Sequence, residues 1–248
     1  TIASWRNTVE AHRSTFSRQA LPMVWDYVEI NPFSSSAGNW NDACIDFLDK
    51  AISATPAQLI PGQAYQADAA TMTHSITKLA LSTDPPYYDN IGYADLSDFV
   101  YVWLRQSLRT IYPNVFSTLL VPKTPELIAS PYRFDGSAEK ANQHFEDGLQ
   151  KVFVNMRGIG REDYPLTVYY AFKQSEIIEE GVASTGWETM LMGMIDSGFK
   201  IVGTWPIRTE RGGRMISVGT NALASSIVLV CRPRPEDAPI TSRREFVN

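Results

Sequence analysis

The residues best suited to chemistry in this sequence are the consecutive Asp84, Pro85, Pro86 and Tyr87. They follow the apolar run 79–83, which predicts a buried strand that the two prolines must end. The resulting loop offers a carboxylate, a prolyl carbonyl and a flat aromatic ring. Open α/β sheets bind ligands in loops at the carboxyl ends of their strands. A planar base that carries an exocyclic amine would fit these three groups.

Two kinds of apolar pattern predict the elements that position this loop. Helical spacing predicts helices at 1–29 with a break at Pro22, and at 39–54, 72–79, 96–112, 138–154 and 187–197, the last ending at Gly198. Short apolar runs predict strands at 64–68, 79–83, 166–172, 199–205 and 226–232. This order favours an α/β, doubly wound sheet with an antiparallel hairpin at one edge.

Length and composition set the class of protein. The 248 residues, 44% of them hydrophobic, predict a helical segment at 1–60, an α/β domain at 61–234 with an insertion around 113–160, and a tail at 235–248. No apolar run approaches the roughly 20 residues that span a bilayer, so no membrane partner is expected. Cys44 and Cys231 form neither a metal spacing nor a disulfide framework, so we expect no metal and a cytoplasmic location.

The charge distribution favours local rather than overall contact with nucleic acid. The net charge of −5 argues mildly against a surface that binds nucleic acid throughout. Arg208, Arg211 and Arg214 nevertheless form a basic cluster of the kind that contacts phosphates. The alternative for this cluster is an ordinary solvated face.

The loop and its surroundings carry a family resemblance. The string Asp-Pro-Pro-Tyr at 84–87 resembles the catalytic loop of the amino-methylating DNA methyltransferases, which methylate adenine N6 or cytosine N4. The longer string 84–99 with Trp103, together with 19–29 and 198–234, is similar to the large adenine-specific DNA methylases that carry an N-terminal domain of unknown function. The resemblance implies S-adenosylmethionine as methyl donor, no metal, and DNA with a flipped-out adenine as partner. It also implies other domains of a parent protein, or a phage-defence partner.

The resemblance implies roles for the loop residues that fit their chemistry. The carboxylate of Asp84 and the carbonyl of Pro85 would accept hydrogen bonds from the two amine hydrogens, which frees the nitrogen lone pair. Tyr87 would stack on the extruded base, repaying part of an unstacking cost of a few kcal/mol. Pro86 completes the catalytic loop.

Flanking residues complete the predicted site. Asp68 and Ala69 would contact the adenine ring of the cofactor, although Asp68 is equally suited to capping a helix. Tyr88, Asn90 and Asn221 would contact the substrate, near the arginine cluster at 208–214. Local turn formation is the alternative for the two asparagines.

One part of the family pattern is missing. Family members hold the methionine part of the cofactor with a glycine-rich loop, Asp-Pro-Phe-x-Gly-x-Gly, and the nearest string here is Asn-Pro-Phe-Ser-Ser-Ser-Ala-Gly at 31–38. We therefore expect a fragment: a Rossmann-like methyltransferase sheet, incomplete at its N-terminal side, with an antiparallel terminal hairpin and helical insertions. Two alternatives stay open. One is a non-catalytic nucleic-acid-binding or assembly module of a defence-type protein, and the other is a methyltransferase for cytosine N4 or RNA.

Overall fold

The structure is a computed structural model that describes residues 5–6, 11–12, 31–35, 39–55, 60–72, 78–89, 91–171, 185–207 and 226–239. The chain divides into two compact units. The first comprises Thr1–Gln66 and Asp95–Val121, and the second comprises Ala67–Ala94 and Pro122–Asn248. The predicted domain boundaries at residues 60 and 234 stay predictions.

The described elements of the first unit are mainly helical. A π-helix, Asn41–Ile45, continues into helix α1, Asp46–Ala54, which confirms the helix predicted at 39–54. Asn39 begins it, because its Oδ1 accepts from the Asp42 N–H at 2.8 Å while its Nδ2 donates to Asp42 Oδ2 at 2.8 Å. The bond from Asn39 lowers the pKa of Asp42, with a further contribution from Asn41.

Helix α2, Tyr93–Leu108, confirms the helix predicted at 96–112, although it begins three residues earlier and ends four residues earlier. Strands β1, Trp5–Arg6, and β2, Ala11–His12, pair antiparallel, with Trp5 opposite His12. The helical interpretation of 1–29 is therefore wrong for these four residues, because backbone pairing there overrides the apolar spacing. The other residues of that segment lie outside the described part of the chain.

The second unit contains a mixed four-stranded sheet. Its strands are β3, Ser82–Thr83, β4, Leu166–Tyr170, β5, Phe199–Ile207, and β6, Ser226–Pro233, in the spatial order β3-β4-β6-β5. β3 and β4 are parallel, whereas β6 is antiparallel to both β4 and β5. The central position of β6 explains its nearly continuous apolar sequence. The predicted mixed α/β class, with its antiparallel final pair, is confirmed.

Two helices cover the core of this sheet. Helix α3, Ala138–Ile159, begins at Ser137, whose Oγ accepts from the Lys140 N–H at 3.2 Å. Helix α4, Thr185–Asp196, ends before Gly198, whose φ of 82° suits only glycine without strain. The largest fully buried apolar side chains come from these helices and the strands: Phe145, Phe153, Leu149, Met190, Met194, Leu229, Val168 and Cys231.

One short predicted strand is wrong, and one short predicted helix is wrong at its described residues 72, 78 and 79. Residues 60–68 contain no strand, and Tyr65 is 75% exposed, because no neighbouring strand pairs with this segment. The helix predicted at 72–79 does not include residues 78 and 79. Lys78 has a φ of 67°, and the Leu79 N–H donates to Ile159 O at 3.0 Å. Residues 73–77 lie outside the described part. The segment 113–136 is irregular apart from the 3₁₀ turn Pro131–Phe134.

Within the described ranges, no helix combines the length and the apolar character needed to cross a bilayer. The same ranges hold no group of three or more His, Cys, Asp or Glu side chains placed to bind a metal ion. Burial raises the pKa of the Cys231 thiol to about 11, so at neutral pH it is a protonated core residue.

Candidate functional site

Asp84 lies at the carboxyl end of β3, where the sequence places it. β3 runs parallel to β4, with Ser82 opposite Thr167 and Thr83 opposite Val168. Parallel strands end at the same edge of a sheet, so Asp84 and the last residue of β4, Tyr170, reach that edge together. Asp84 is exposed and the following Pro85 is buried. The carboxylate is therefore presented to solvent at the edge where open α/β folds bind ligands.

Tyr87 joins Asp84 through a direct hydrogen bond. The Tyr87 hydroxyl donates to Asp84 Oδ1 at 2.8 Å. Its ring meets Tyr170 edge to face, with 5.5 Å between centroids and 85° between planes. The bond to an exposed carboxylate stabilises the loop by about 1 kcal/mol, and the ring pair by about 0.5–1.5 kcal/mol. The two residues predicted to bind a base are thus brought together in one arrangement.

Tyr88 holds the turn of the loop in an unusual backbone conformation. Its φ of 30° lies in the left-handed region, which costs a non-glycine residue roughly 1–2 kcal/mol. Its hydroxyl donates to Asn142 Oδ1 at 2.6 Å, and its ring meets Phe145 edge to face at 5.3 Å. Its carbonyl accepts from the Ala129 N–H at 2.9 Å. Three contacts from distant parts of the chain therefore hold the strained residue.

The first residues of helix α4 form the wall beside the loop. A Cβ atom at Gly186 would lie 2.8 Å from Tyr88 Cβ and 3.1 Å from Tyr170 Oη, so only glycine allows this approach. The next residue, Trp187, places its ring 5.7 Å from that of Tyr170. Tyr87, Tyr170 and Trp187 therefore form a continuous aromatic group behind the Asp84 carboxylate.

Asp68 occupies a different kind of site. Its Oδ1 accepts from the Ala70 N–H at 2.9 Å, and its carbonyl accepts from the Met72 N–H at 2.8 Å. The Asn155 side chain donates to Ala69 O at 2.9 Å and to Met72 O at 3.1 Å. Asp68 therefore caps its own turn, and the alternative role as a helix cap stays a prediction because residues 73–77 lie outside the described part of the chain. The contacts of Asp68 and Ala69 with a cofactor stay predictions.

Other predicted substrate contacts lie outside the described residues. These are Asn90, Arg208, Arg211, Arg214 and Asn221. Tyr88 is described, but its side chain packs against the core cluster and bonds to Asn142. Its contact with the substrate stays a prediction.

Sequence reasoning missed the residues that support the loop. Tyr170 and Trp187 fell within a predicted strand and a predicted helix, where aromatic residues are ordinary core components. Gly186 precedes Trp187 at a helix start, a weak signal of close approach. Asn142 lies in a polar stretch of a predicted helix, and no local pattern distinguishes it from its neighbours.

Comparisons with known proteins give sparse results. No family profile matches this chain. No curated protein matches it either.

Three chains of solved structures do match, all of TTHA0409, a candidate DNA modification methylase from Thermus thermophilus. The selenomethionine derivative is 9% identical over 47% of each chain, with a TM-score of 0.27. The complex with S-adenosyl-L-methionine is 10% identical over 44% of each chain, with a TM-score of 0.27. A third structure is 11% identical over 73% of this chain and 57% of that one, with a TM-score of 0.32. The match thus spans about half of TTHA0409, and likeness at this level carries no argument about activity.

Proposed function

We propose that this chain provides the catalytic loop of a DNA methyltransferase that acts on the exocyclic N6 amine of adenine, with S-adenosylmethionine as methyl donor. The observation that supports the proposal most is the exposed Asp84 carboxylate, hydrogen-bonded to Tyr87 at the carboxyl end of β3. The sequence resemblance over 84–99 supplies the reaction class. An antiparallel hairpin at the end of the sheet is also what the resemblance implies.

The loop residues act on the base. The exocyclic amine of adenine is a poor nucleophile because its lone pair is delocalised into the ring. The Asp84 carboxylate and the Pro85 carbonyl accept hydrogen bonds from its two N–H groups, which favours a pyramidal nitrogen and exposes the lone pair. A carboxylate has about four lone-pair sites, so the Tyr87 hydroxyl leaves room for the amine. Methyl transfer would form the N–C bond as the S–C bond of the donor breaks. The nitrogen would then lose one hydrogen as a proton, which the Asp84 carboxylate would accept and pass to water.

The aromatic group gives the base its position. Stacking on an aromatic ring is worth about 1–3 kcal/mol per base. The Tyr87 ring is braced by Tyr170, and its hydroxyl is tied to the carboxylate that binds the amine. Stacking and amine recognition are therefore coupled through a single side chain. Good orientation of this kind can supply roughly 7–11 kcal/mol of the barrier reduction.

The described residues do not form a glycine-rich cradle for S-adenosylmethionine. Asn31 begins a turn, with its Oδ1 accepting from the Phe33 N–H at 3.0 Å, and the Trp40 N–H donates back to Pro32 O at 2.7 Å. Asp68 caps its own turn through Ala70. When bound, the cofactor supplies an electrophilic methyl group. The chemistry that can be assigned to the described residues is the binding and activation of the target base.

The remaining contacts belong to the same proposal. Arg208, Arg211 and Arg214 would bind phosphates of the DNA, while Asn90 and Asn221 would lie near the target base. Other domains and a defence-system partner rest on family association. A reducing cytoplasm is proposed from the cysteine usage.

Identification of the methylated nucleoside tests the reaction. Full-length protein, S-adenosylmethionine and genomic DNA free of modified bases are incubated, and the DNA is hydrolysed for mass analysis. N6-methyladenine is the expected product. N4-methylcytosine as the product would show that the substrate amine is that of cytosine rather than adenine. Modification of RNA alone would contradict DNA as the substrate. If neither DNA nor RNA contains a methylated nucleoside, the proposed methyltransferase activity is refuted.

A non-catalytic nucleic-acid-binding module is the second candidate. It is favoured by the local roles of Asn31 and Asp68, which bond to their own turns. Calorimetric titration of S-adenosylmethionine into the protein separates the two candidates. Binding at micromolar concentration supports the enzyme. DNA binding without cofactor binding supports the module.

A further inference from the structure

We propose that Asn142 is a positioning residue for the Asp84–Tyr87 loop and that it acts through Tyr88. The proposed function supplies the catalytic consequence of this inference, whereas the contact itself is independent of it. Asn142 lies on helix α3 and accepts the Tyr88 hydroxyl at 2.6 Å across 54 residues of sequence. Neither the loop motif nor the family resemblance points to this residue.

The loop needs such support because its backbone is constrained at three of four consecutive residues, Pro85, Pro86 and Tyr88. Pro85 and Pro86 fix their own φ angles, so the chain can reverse only after them. The reversal falls on Tyr88, whose φ of 30° is unfavourable for a bulky residue. The turn is therefore stable only while contacts outside the loop hold Tyr88.

Asn142 is suited to this task because it lies on a firmly packed part of α3. Its neighbours Ala141 and Phe145 are both fully buried. Phe145 also meets the Tyr88 ring at 5.3 Å, so one helical turn holds both ends of the tyrosine side chain. A rigid element that fixes a functional residue from behind is what precise placement requires.

Positioning of Tyr88 determines where Tyr87 lies. The two residues are adjacent, and a left-handed turn at Tyr88 accompanies the bond between the Tyr87 hydroxyl and Asp84 Oδ1. If Tyr88 relaxed to an ordinary φ, the chain direction after Tyr87 would change. The base would then lose its stacking ring, and the Asp84 carboxylate would lose the hydroxyl that orients it. Loss of Asn142 should thus lower kcat and leave the DNA concentration dependence nearly unchanged.

Four variants of the full-length protein test this inference. Asn142→Leu removes the acceptor, Tyr88→Phe removes the donor, the double variant removes both, and Asn142→Asp keeps an acceptor oxygen. We expect each of the first two to lower kcat about tenfold with KM for DNA changed less than about twofold. The double variant should be no slower than either single one, because both break the same contact. Asn142→Asp should keep most of the wild-type activity. Gln143→Leu is the matched control, because Gln143 follows Asn142 in α3 and its side chain is exposed.

A second readout does not depend on activity. The Ala129 N–H donates to the Tyr88 carbonyl at 2.9 Å, so its hydrogen exchange reports on the turn. Exchange should be faster in Asn142→Leu and Tyr88→Phe than in the wild type and Gln143→Leu. Unchanged exchange, or additive losses of kcat in the double variant, would overturn the inference. If the wild type shows no methyl transfer, the proposed function fails, and exchange alone decides the role of Asn142.

Discussion

Asp68 and Asp84 are two aspartates of the same structural unit whose carboxylates bond to different kinds of partner. The Asp68 carboxylate bonds to the backbone of its own turn, and the Asp84 carboxylate bonds to a side chain. Asp68 Oδ1 accepts from the Ala70 N–H, two residues away. Asp84 Oδ1 accepts from a phenolic hydroxyl, that of Tyr87, whose ring is braced by a strand more than 80 residues distant in sequence. Both residues are exposed, but the Asp68 carboxylate completes a turn whereas the Asp84 carboxylate lies beside an aromatic group.

This difference shows which aspartate has a role that local folding does not explain. A capping acid stabilises its own turn whether or not the protein binds a ligand. Asp84 satisfies no backbone donor in the contacts described, and its loop carries the strain of Tyr88. Strain of this kind persists only when surrounding contacts hold it, and it is typical of functional loops. Asp84 is therefore the stronger candidate for binding a substrate.

The largest stability effect is expected from Phe145, which supports the loop of Asp84. Its side chain is fully buried and meets the Tyr88 ring at 5.3 Å. Phe145→Ala should lower the free energy of unfolding by about 3–5 kcal/mol in urea titrations. In the native state it should speed the exchange of the Ala129 N–H more than that of the Met72 N–H, which belongs to the turn of Asp68.

The matched control for this prediction is Val154→Ala on the same helix. Val154 is 56% exposed, so its truncation should cost less than about 1 kcal/mol. Equal acceleration of both amides in Phe145→Ala would contradict separate support of the two aspartates.

A smaller effect is expected from filling the space at Gly186. The new Cβ of Gly186→Ala would meet Tyr88 Cβ at 2.8 Å and Tyr170 Oη at 3.1 Å. We expect a loss of about 1–3 kcal/mol in thermal or urea unfolding, because the loop or the helix must shift. Methyl transfer should fall as well.

Gly158→Ala provides the comparison, because a Cβ at Gly158 would have no heavy atom within 4 Å. Alanine inside α3 should stabilise the protein by roughly 0.5–1 kcal/mol. If both substitutions are equally tolerated, the close approach at Gly186 is not what fixes the loop.

The smallest effect concerns Asp68 itself. Asp68→Ala removes the acceptor for the Ala70 N–H and should cost about 1 kcal/mol of unfolding free energy. Asp68→Asn keeps an acceptor of equal capping strength and should be near neutral. If Asn were as destabilising as Ala, the negative charge rather than the cap would be the important feature. A cofactor contact would then gain support.

Much of the fold could be predicted from the sequence because its apolar patterns are strong. The run at 226–232 predicts β6, and the amphipathic spacing at 138–154 predicts α3, although the helix continues to Ile159. The strand predicted at 64–68 failed because a short apolar run of five residues does not provide a pairing partner. Whether a short apolar segment forms a strand depends on whether tertiary contacts bring a neighbouring strand beside it.

The candidate site was predictable only in its local part. Asp84 and Tyr87 are three residues apart, so the sequence itself showed that they could cooperate. The bond of Tyr88 to Asn142 spans 54 residues, and no single-sequence pattern encodes such a pairing. The close approach at Gly186 is likewise not encoded by a local pattern, because it depends on the distant side chains of Tyr88 and Tyr170.

The measurement that tests the central claim most directly is the initial rate of methyl transfer by acid-to-amide variants of the full-length protein. The set comprises the wild type, Asp84→Asn, Asp68→Asn and the exposed α3 control Asp147→Asn. Loss of an interaction made at the reacting centre should slow Asp84→Asn by about 10²–10³-fold. Asp147→Asn should match the wild type, and Asp68→Asn should stay at least about tenfold faster than Asp84→Asn. Wild-type rates in Asp84→Asn would contradict the claim that this carboxylate binds the amine.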